Sequence, residues 1–117
     1  QSFLKALVDH SFDSILVTDD SEESKILYAN KEFFNLTGYS LSDVQGKTPR
    51  ILQGIGTDER VISRLVESLK EKKTFEGKAI NYKKDGTPFL MHWRVVPVGM
   101  KGGKEVWIAI QRETSTV

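Results

Sequence analysis

The sequence predicts an α+β architecture, an antiparallel sheet with its helices gathered on one face, on the strength of three observations. Beyond a short N-terminal segment, two short strand-like runs open the domain, helical segments fill its middle, and three longer strand-like runs close it. Elements grouped in that way, rather than strand alternating with helix, favour antiparallel pairing and a one-sided helical layer. With 117 residues the chain makes one ordinary domain that can bury roughly two-thirds of its unfolded surface.

Phe3, Leu4, Leu7 and Val8 recur at helical spacing and predict a flanking helix within residues 1–13, with one apolar stripe that needs a cover. The domain proper is expected over 14–114, and 115–117 begin a C-terminal linker. Its first hairpin pairs 14–19 with 25–29 across the polar turn Asp20-Ser21-Glu22-Glu23. Asn30 is placed to cap the next helix and Gly38 to end it in a left-handed conformation. A helical turn over 41–44 follows, and Thr48 as N-cap with Pro49 at the first helical position starts another. The longest helix spans about 58–70, with Asp58 and Glu59 at its positive end. Val61, Ile62, Leu65, Val66 and Leu69 are expected inward, Arg60, Arg64 and Glu67 outward. Strands over 74–82, 88–98 and 105–113 complete the domain, with turns at Lys84-Asp85-Gly86 and Lys101-Gly102-Gly103.

Residues two apart on a strand share a face. Phe75, Gly77, Ala79 and Asn81 form one face of the third strand, and Phe89, Met91, Trp93 and Val95 one face of the fourth. Gly77 and Ala79 leave space for a planar ligand there, whereas Met91 and Trp93 take space away. The last strand is apolar on both faces, with Trp107, Ala109 and Gln111 on one and Val106, Ile108 and Ile110 on the other. Such a strand belongs in the centre of a sheet covered twice. On the outer face Ile80, Leu90, Val96, Ile108 and Ile110 would form an exposed apolar patch, so the N-terminal helix, a second protomer in a homodimer, or both are expected to cover it.

Composition narrows the function. Lys and Arg total 17 against 16 Asp and Glu, without the basic excess that nucleic-acid binding requires. No apolar run reaches the ~18 residues of a membrane span, so direct membrane contact is not expected. The absence of cysteine removes disulfides, thiolate metal sites and cysteine nucleophiles together, and fits a cytoplasmic home. Acidic residues at 19–23 read as a solvated turn and match no calcium loop, so no metal is expected. No Ser, His and Asp relay is present, and the chain is not read as an enzyme.

The segment Gly46-Lys47-Thr48-Pro49-Arg50-Ile51-Leu52-Gln53-Gly54 resembles the signature helix of the light-oxygen-voltage (LOV) branch of the PAS domains, Gly-Arg-Asn-Cys-Arg-Phe-Leu-Gln-Gly. The likeness extends over 14–114, through Ile15-Leu16-Val17-Thr18-Asp19, the run from Tyr28 to Ser40, Ile80-Asn81-Tyr82-Lys83-Lys84-Asp85-Gly86 and Ile110-Gln111-Arg112-Glu113-Thr114. It implies the PAS fold, a five-stranded antiparallel sheet in order 2-1-5-4-3 that forms a cup against its helices. It also implies a flavin, FMN or FAD, with Arg50 on its phosphate, Gln53 and Asn81 on the ring edge, and Gln111 reorienting as the flavin changes state. An amide suits that last task because it carries both donors and an acceptor.

Each of these residues also has a plain structural reading: Arg50 in a surface ion pair, Gln53 ending its short helix, Asn81 bonding its own turn, Gln111 satisfied by neighbouring backbone. The departures from the LOV pattern are substantial. Pro49 stands where the family has its adduct-forming cysteine, Thr48 and Met91 each replace an Asn, Val66 replaces a second phosphate-binding arginine, and Trp93 replaces a smaller aromatic. Arg60 or Arg64 is the expected substitute for that arginine. Histidine-ligated haem is not expected, because the long helix lacks His and His92 falls on the outward set of its strand. The resemblance therefore implies a sensory and dimerisation module joined to an effector domain in the same parent chain, limited to redox chemistry or photoreduction. The alternative is a ligand-free PAS interaction domain whose cup is filled by Met91 and Trp93.

Overall fold

A computed structural model describes residues 2–115; residue 1 and, of the expected linker, residues 116 and 117 lie outside them. Helix α1 (Phe3–Asp9) leads into β1 (Ser14–Asp19), β2 (Ile26–Ala29), α2 (Lys31–Thr37), α3 (Leu41–Val44), a 3-10 turn (Pro49–Leu52), α4 (Glu59–Lys70), β3 (Phe75–Tyr82), β4 (Pro88–Gly99) and β5 (Glu105–Glu113). The sheet order is β2-β1-β5-β4-β3, with every neighbour antiparallel. The expected helix starts and stops are in place. Asn30 Oδ1 accepts from Phe33 N (3.0 Å), Gly38 is left-handed at φ 81°, and Ser40 and Asp43 form a reciprocal capping box. Thr48 Oγ1 accepts from Arg50 N (3.3 Å) with Pro49 at the first position of the turn.

The sheet carries two apolar layers. Leu16, Phe75, Ala79, Phe89, Met91, Trp93, Trp107 and Ala109 face α2, α3 and α4 across the main core, where Phe33, Val44 and Leu52 meet them. Ile15, Val17 and Ile108 form the outer layer with Val8 of α1, and Leu4, Val96, Val106 and Ile110 pack around them. Strand β5 is thus covered on both sides. Helix α1 is pinned further by Tyr28, whose hydroxyl donates to Asp9 Oδ1 (2.6 Å) and whose ring lies 5.3 Å from Lys5 Nζ; within the helix Lys5 Nζ lies 2.8 Å from Asp9 Oδ2.

Several expectations need correction. Only Leu4 and Val8 of the α1 stripe turn inward, while Phe3 and Leu7 are 81% and 56% exposed. The apolar patch expected on the outer face is not continuous. Strand register places Lys78, His92 and Arg112 in one row and Glu76 and Arg94 in the next, between the Ile80/Leu90 end and the Val96/Ile108 end. His92 does face outward, hydrogen-bonded to Glu76. On α4, Val61, Leu65 and Leu69 reach the core but Val66 is exposed. Arg64 does not point away: it donates from Nη1 to Glu76 O (3.0 Å) and lies 5.0 Å from the Phe75 ring.

Candidate functional site

The four residues of interest come from three elements around the concave face. Arg50 and Gln53 sit at either end of the 3-10 turn, which is anchored by buried Leu52 and closed by Gln53 N donating to Arg50 O (2.9 Å). The next loop is stapled to β3. Thr57 Oγ1 accepts from Gly54 N (3.0 Å) and donates to Ile80 O (2.7 Å), while Tyr82 Oη accepts from Gly56 N (2.8 Å). A Cβ on Gly54 would lie 2.4 Å from the Tyr82 ring, so that approach requires glycine. The stapling brings the Leu52 carbonyl within reach of the Asn81 amide.

Asn81 is buried, and its amide has two orientations. In one, Nδ2 points at Met91 Sδ (3.3 Å). With oxygen and nitrogen interchanged, Nδ2 donates to Leu52 O (3.3 Å) and Ile80 O (3.1 Å), which leaves the carbonyl oxygen against the thioether. The second gives the nitrogen two backbone acceptors and is the better satisfied, so the protein itself holds the Asn81 amide. Asn81 does not bond its own turn. Gln111, also buried, is not satisfied by backbone either: its Oε1 accepts from Ser14 Oγ at 3.1 Å.

Asn81 and Gln111 are not neighbours. Register aligns Gly77, Trp93, Gln111 and Ser14 in one row, and Asn81 lies four residues along β3 from that row. The diagonal between the two amides crosses β4 at Met91, and Trp93 lies beside Gln111. The space expected over Gly77 is taken by the Phe75 ring, since a Cβ there would lie 2.6 Å from Phe75 Cζ and 3.0 Å from Arg64 Nη2. Phe75 and Trp93 pack at 5.2 Å between ring centroids with a 51° tilt. The cup thus carries two buried amides, Asn81 and Gln111, and is filled by Phe75, Met91 and Trp93, so a flavin ring would need volume made by those three side chains.

Arg50 is exposed at the mouth of the cup and makes no ion pair among the described residues, so the surface-pair reading of it fails. It lines a cavity of about 260 Å³ with Trp107, Val66, Leu69, Lys70 and Lys72 on one side and Asp20, Ser21, Glu22 and Ser24 of the first hairpin turn on the other. Neither expected substitute arginine is there. Arg60 is held by Asp58 (Nη2–Oδ2 3.1 Å) and Arg64 by β3.

Two residues that link the cup to the N-terminal helix escaped the sequence. Ser14 shares the inner face with Leu16, so its meeting with Gln111 follows from strand order and alternation once β1 is set beside β5. Asn30 was read as a cap alone, but its Nδ2 also donates to Val8 O (2.8 Å) and Asp13 O (3.1 Å), which ties α1 to β1 and α2. No local pattern signals those two bonds.

The fold and this cup define a class that the comparisons identify. The PAS domain family model matches residues 13–116. The chain belongs to the PAS domain family. Phototropin-1A of Oryza sativa subsp. japonica is 36% identical over 114 residues, which are 96% of this chain and 12% of that protein. The chain therefore spans about an eighth of that relative's length. Among solved structures, a light-oxygen-voltage domain from work on a flavin analogue superposes with a TM-score of 0.86 at 28% identity, covering 98% of this chain and 86% of that one. The LOV domain of the Erythrobacter litoralis EL346 blue-light activated histidine kinase gives 0.83 at 27% identity, covering 92% and 100%. The chain is thus similar to LOV domains in sequence and fold, although it contains no cysteine.

Proposed function

We propose that this domain is the sensory and dimerisation module of a larger signalling protein, and that it holds FMN or FAD in its cup through Gln53, Asn81 and Gln111, with Arg50 at the phosphate. The observation that carries the reading is the buried bond from Ser14 Oγ to Gln111 Oε1, because it connects the floor of the cup to the root of the N-terminal helix. A bound flavin would supply redox chemistry or photoreduction, the adduct being closed to a chain without cysteine.

The chain's own part is to convert a change at the cup into a change at its surface. Gln111 is able to turn its amide between donor and acceptor, and turning it exchanges the bond to Ser14. Ser14 follows Asp13, whose carbonyl accepts from Asn30 and whose carboxylate accepts from Arg112 (2.8 Å). From Asp13 the chain runs directly back to α1. A helix that is docked in one state and looser in the other is the two-state element that signalling needs. Phe3, Leu7 and Phe12 form the surface on which a second copy would dock, an effector domain in the same parent chain would receive the signal, and the setting is cytoplasmic.

Absorption of the purified protein after incubation with FMN and FAD tests this reading. Retention of a structured blue band after desalting is expected. A colourless protein that takes up neither nucleotide would instead support the ligand-free interaction domain, which the packed Phe75 and Trp93 rings over Gly77 favour.

A further inference from the structure

At the mouth of the cup the cavity beside Arg50 is lined by three cations, Arg50, Lys70 and Lys72, against two carboxylates, Asp20 and Glu22. The two lysines come from the last residue of α4 and the segment just beyond it. Lys72 has φ 56°, a left-handed conformation in which glycine is the usual residue, and this turns the chain beyond α4 back on itself. Its amide donates to Leu69 O (3.2 Å), and its Nζ lies 3.1 Å from Glu105 Oε1. Arg50 and Lys70 have no ion-pair partner among the described residues. Two free cations and a third shared with Glu105 converge on one concavity.

The floor of this cavity is Trp107, which lies on the same face of β5 as Ala109 and Gln111. Gln111 is four residues further along, about 13 Å at strand spacing. That matches the span of a ligand with a flat ring at Gln111 and a charged tail at Arg50. The opposite wall offers Asp20, Ser21 and Glu22, acceptors and a hydroxyl suited to the polyol or ribose hydroxyls that accompany a flavin phosphate.

We propose that Lys70 and Lys72 complete, with Arg50, the phosphate site of a flavin nucleotide, replacing the arginine lost at Val66. The inference rests on the flavin reading and sharpens it. Flavin fluorescence titrations with riboflavin, FMN and FAD on the wild-type chain, Lys70→Gln, Lys70→Gln/Lys72→Gln and the control Lys104→Gln, a cation next to Glu105 but outside the cavity lining, test it. The double variant is expected to lose about tenfold in FMN or FAD affinity, while riboflavin, which has no phosphate, binds as before. A loss for both nucleotides places the first phosphate at the lysines; a loss for FAD alone places the second there. Equal losses for riboflavin, no loss in the double variant, or the same loss in Lys104→Gln would overturn the assignment and leave the flavin reading standing. Failure of the wild-type chain to bind any of the three would overturn both.

Discussion

Asn30 concentrates more of the fold in one side chain than its position in a capping motif suggests. Its Oδ1 accepts from Ile15 N (2.9 Å) and Phe33 N (3.0 Å), and its Nδ2 donates to Val8 O and Asp13 O. It is 4% exposed, so water cannot replace those bonds. Asn30→Ala should cost about 3 kcal/mol in urea unfolding, a lost cap plus orphaned backbone groups. Asn30→Asp separates the two roles, because a carboxylate keeps both acceptor bonds and loses both donors. Hydrogen exchange should then quicken in residues 3–9 and stay slow in the first turns of α2; equal loosening of both would refute the division. Gln111 poses the parallel question for signalling. Gln111→Leu should keep flavin bound yet abolish the light- or redox-driven change in α1, with Ser14→Ala weakening it. A normal response in the Leu variant would remove Gln111 from the pathway.

At the scale of elements, legibility followed from how local each signal is. The alternation in β3 and β4, the caps at Asn30 and Thr48 and the acidic pair Asp58 and Glu59 specified their elements to within about a residue, because a strand's faces and a helix's start are written in adjacent residues. Helix α4 carries Val61, Leu65 and Leu69 beside Ile62 and Val66, a stripe broad enough to leave its rotation to tertiary packing. Arg64 was misplaced for that reason. Filling of the cup by Phe75 is a rotamer choice no pattern encodes, and the cations beside Arg50 depend on the chain reversal at Lys72. The attachment of α1 is likewise tertiary, and it has a pH dependence. The hydrogen bonds from Lys5 and then Tyr28 hold the Asp9 carboxyl below its ordinary range. A group so depressed contributes stability above the unfolded carboxyl value of about 4 and loses it as pH falls through its lower folded value. Helix α1 should therefore lose exchange protection below about pH 4, ahead of the central strands, and Asp9→Asn should abolish that early step. Simultaneous loss in helix and sheet would show that Asp9 does not govern docking.

For the whole molecule, the outer face of the sheet is divided between a region that α1 already covers and a charged band that Glu76, Lys78, His92, Arg94 and Arg112 cross. Apolar surface still seeking a partner lies on the far side of α1, where Phe3, Leu7 and Phe12 surround a concavity with Ala6 and His10. Phe12 is 99% exposed at the hinge between α1 and β1, where the Gln111–Ser14 connection ends. In a two-fold dimer each residue is buried twice, so three side chains supply a gross gain of about 9 to 18 kcal/mol. Association costs about 4 to 15 kcal/mol, so the mid-range balance is about 4 kcal/mol and favours a weak, reversible dimer in the millimolar range over a permanent one. Sedimentation over a wide concentration range should show monomer and dimer in exchange. Phe3→Ser/Leu7→Ser/Phe12→Ser should sediment as a monomer throughout while its urea midpoint barely moves, since these side chains contribute little to the core. A wild-type chain that stays monomeric at the highest concentration, or a triple variant that still dimerises, would move the partner surface off α1 and onto the charged band.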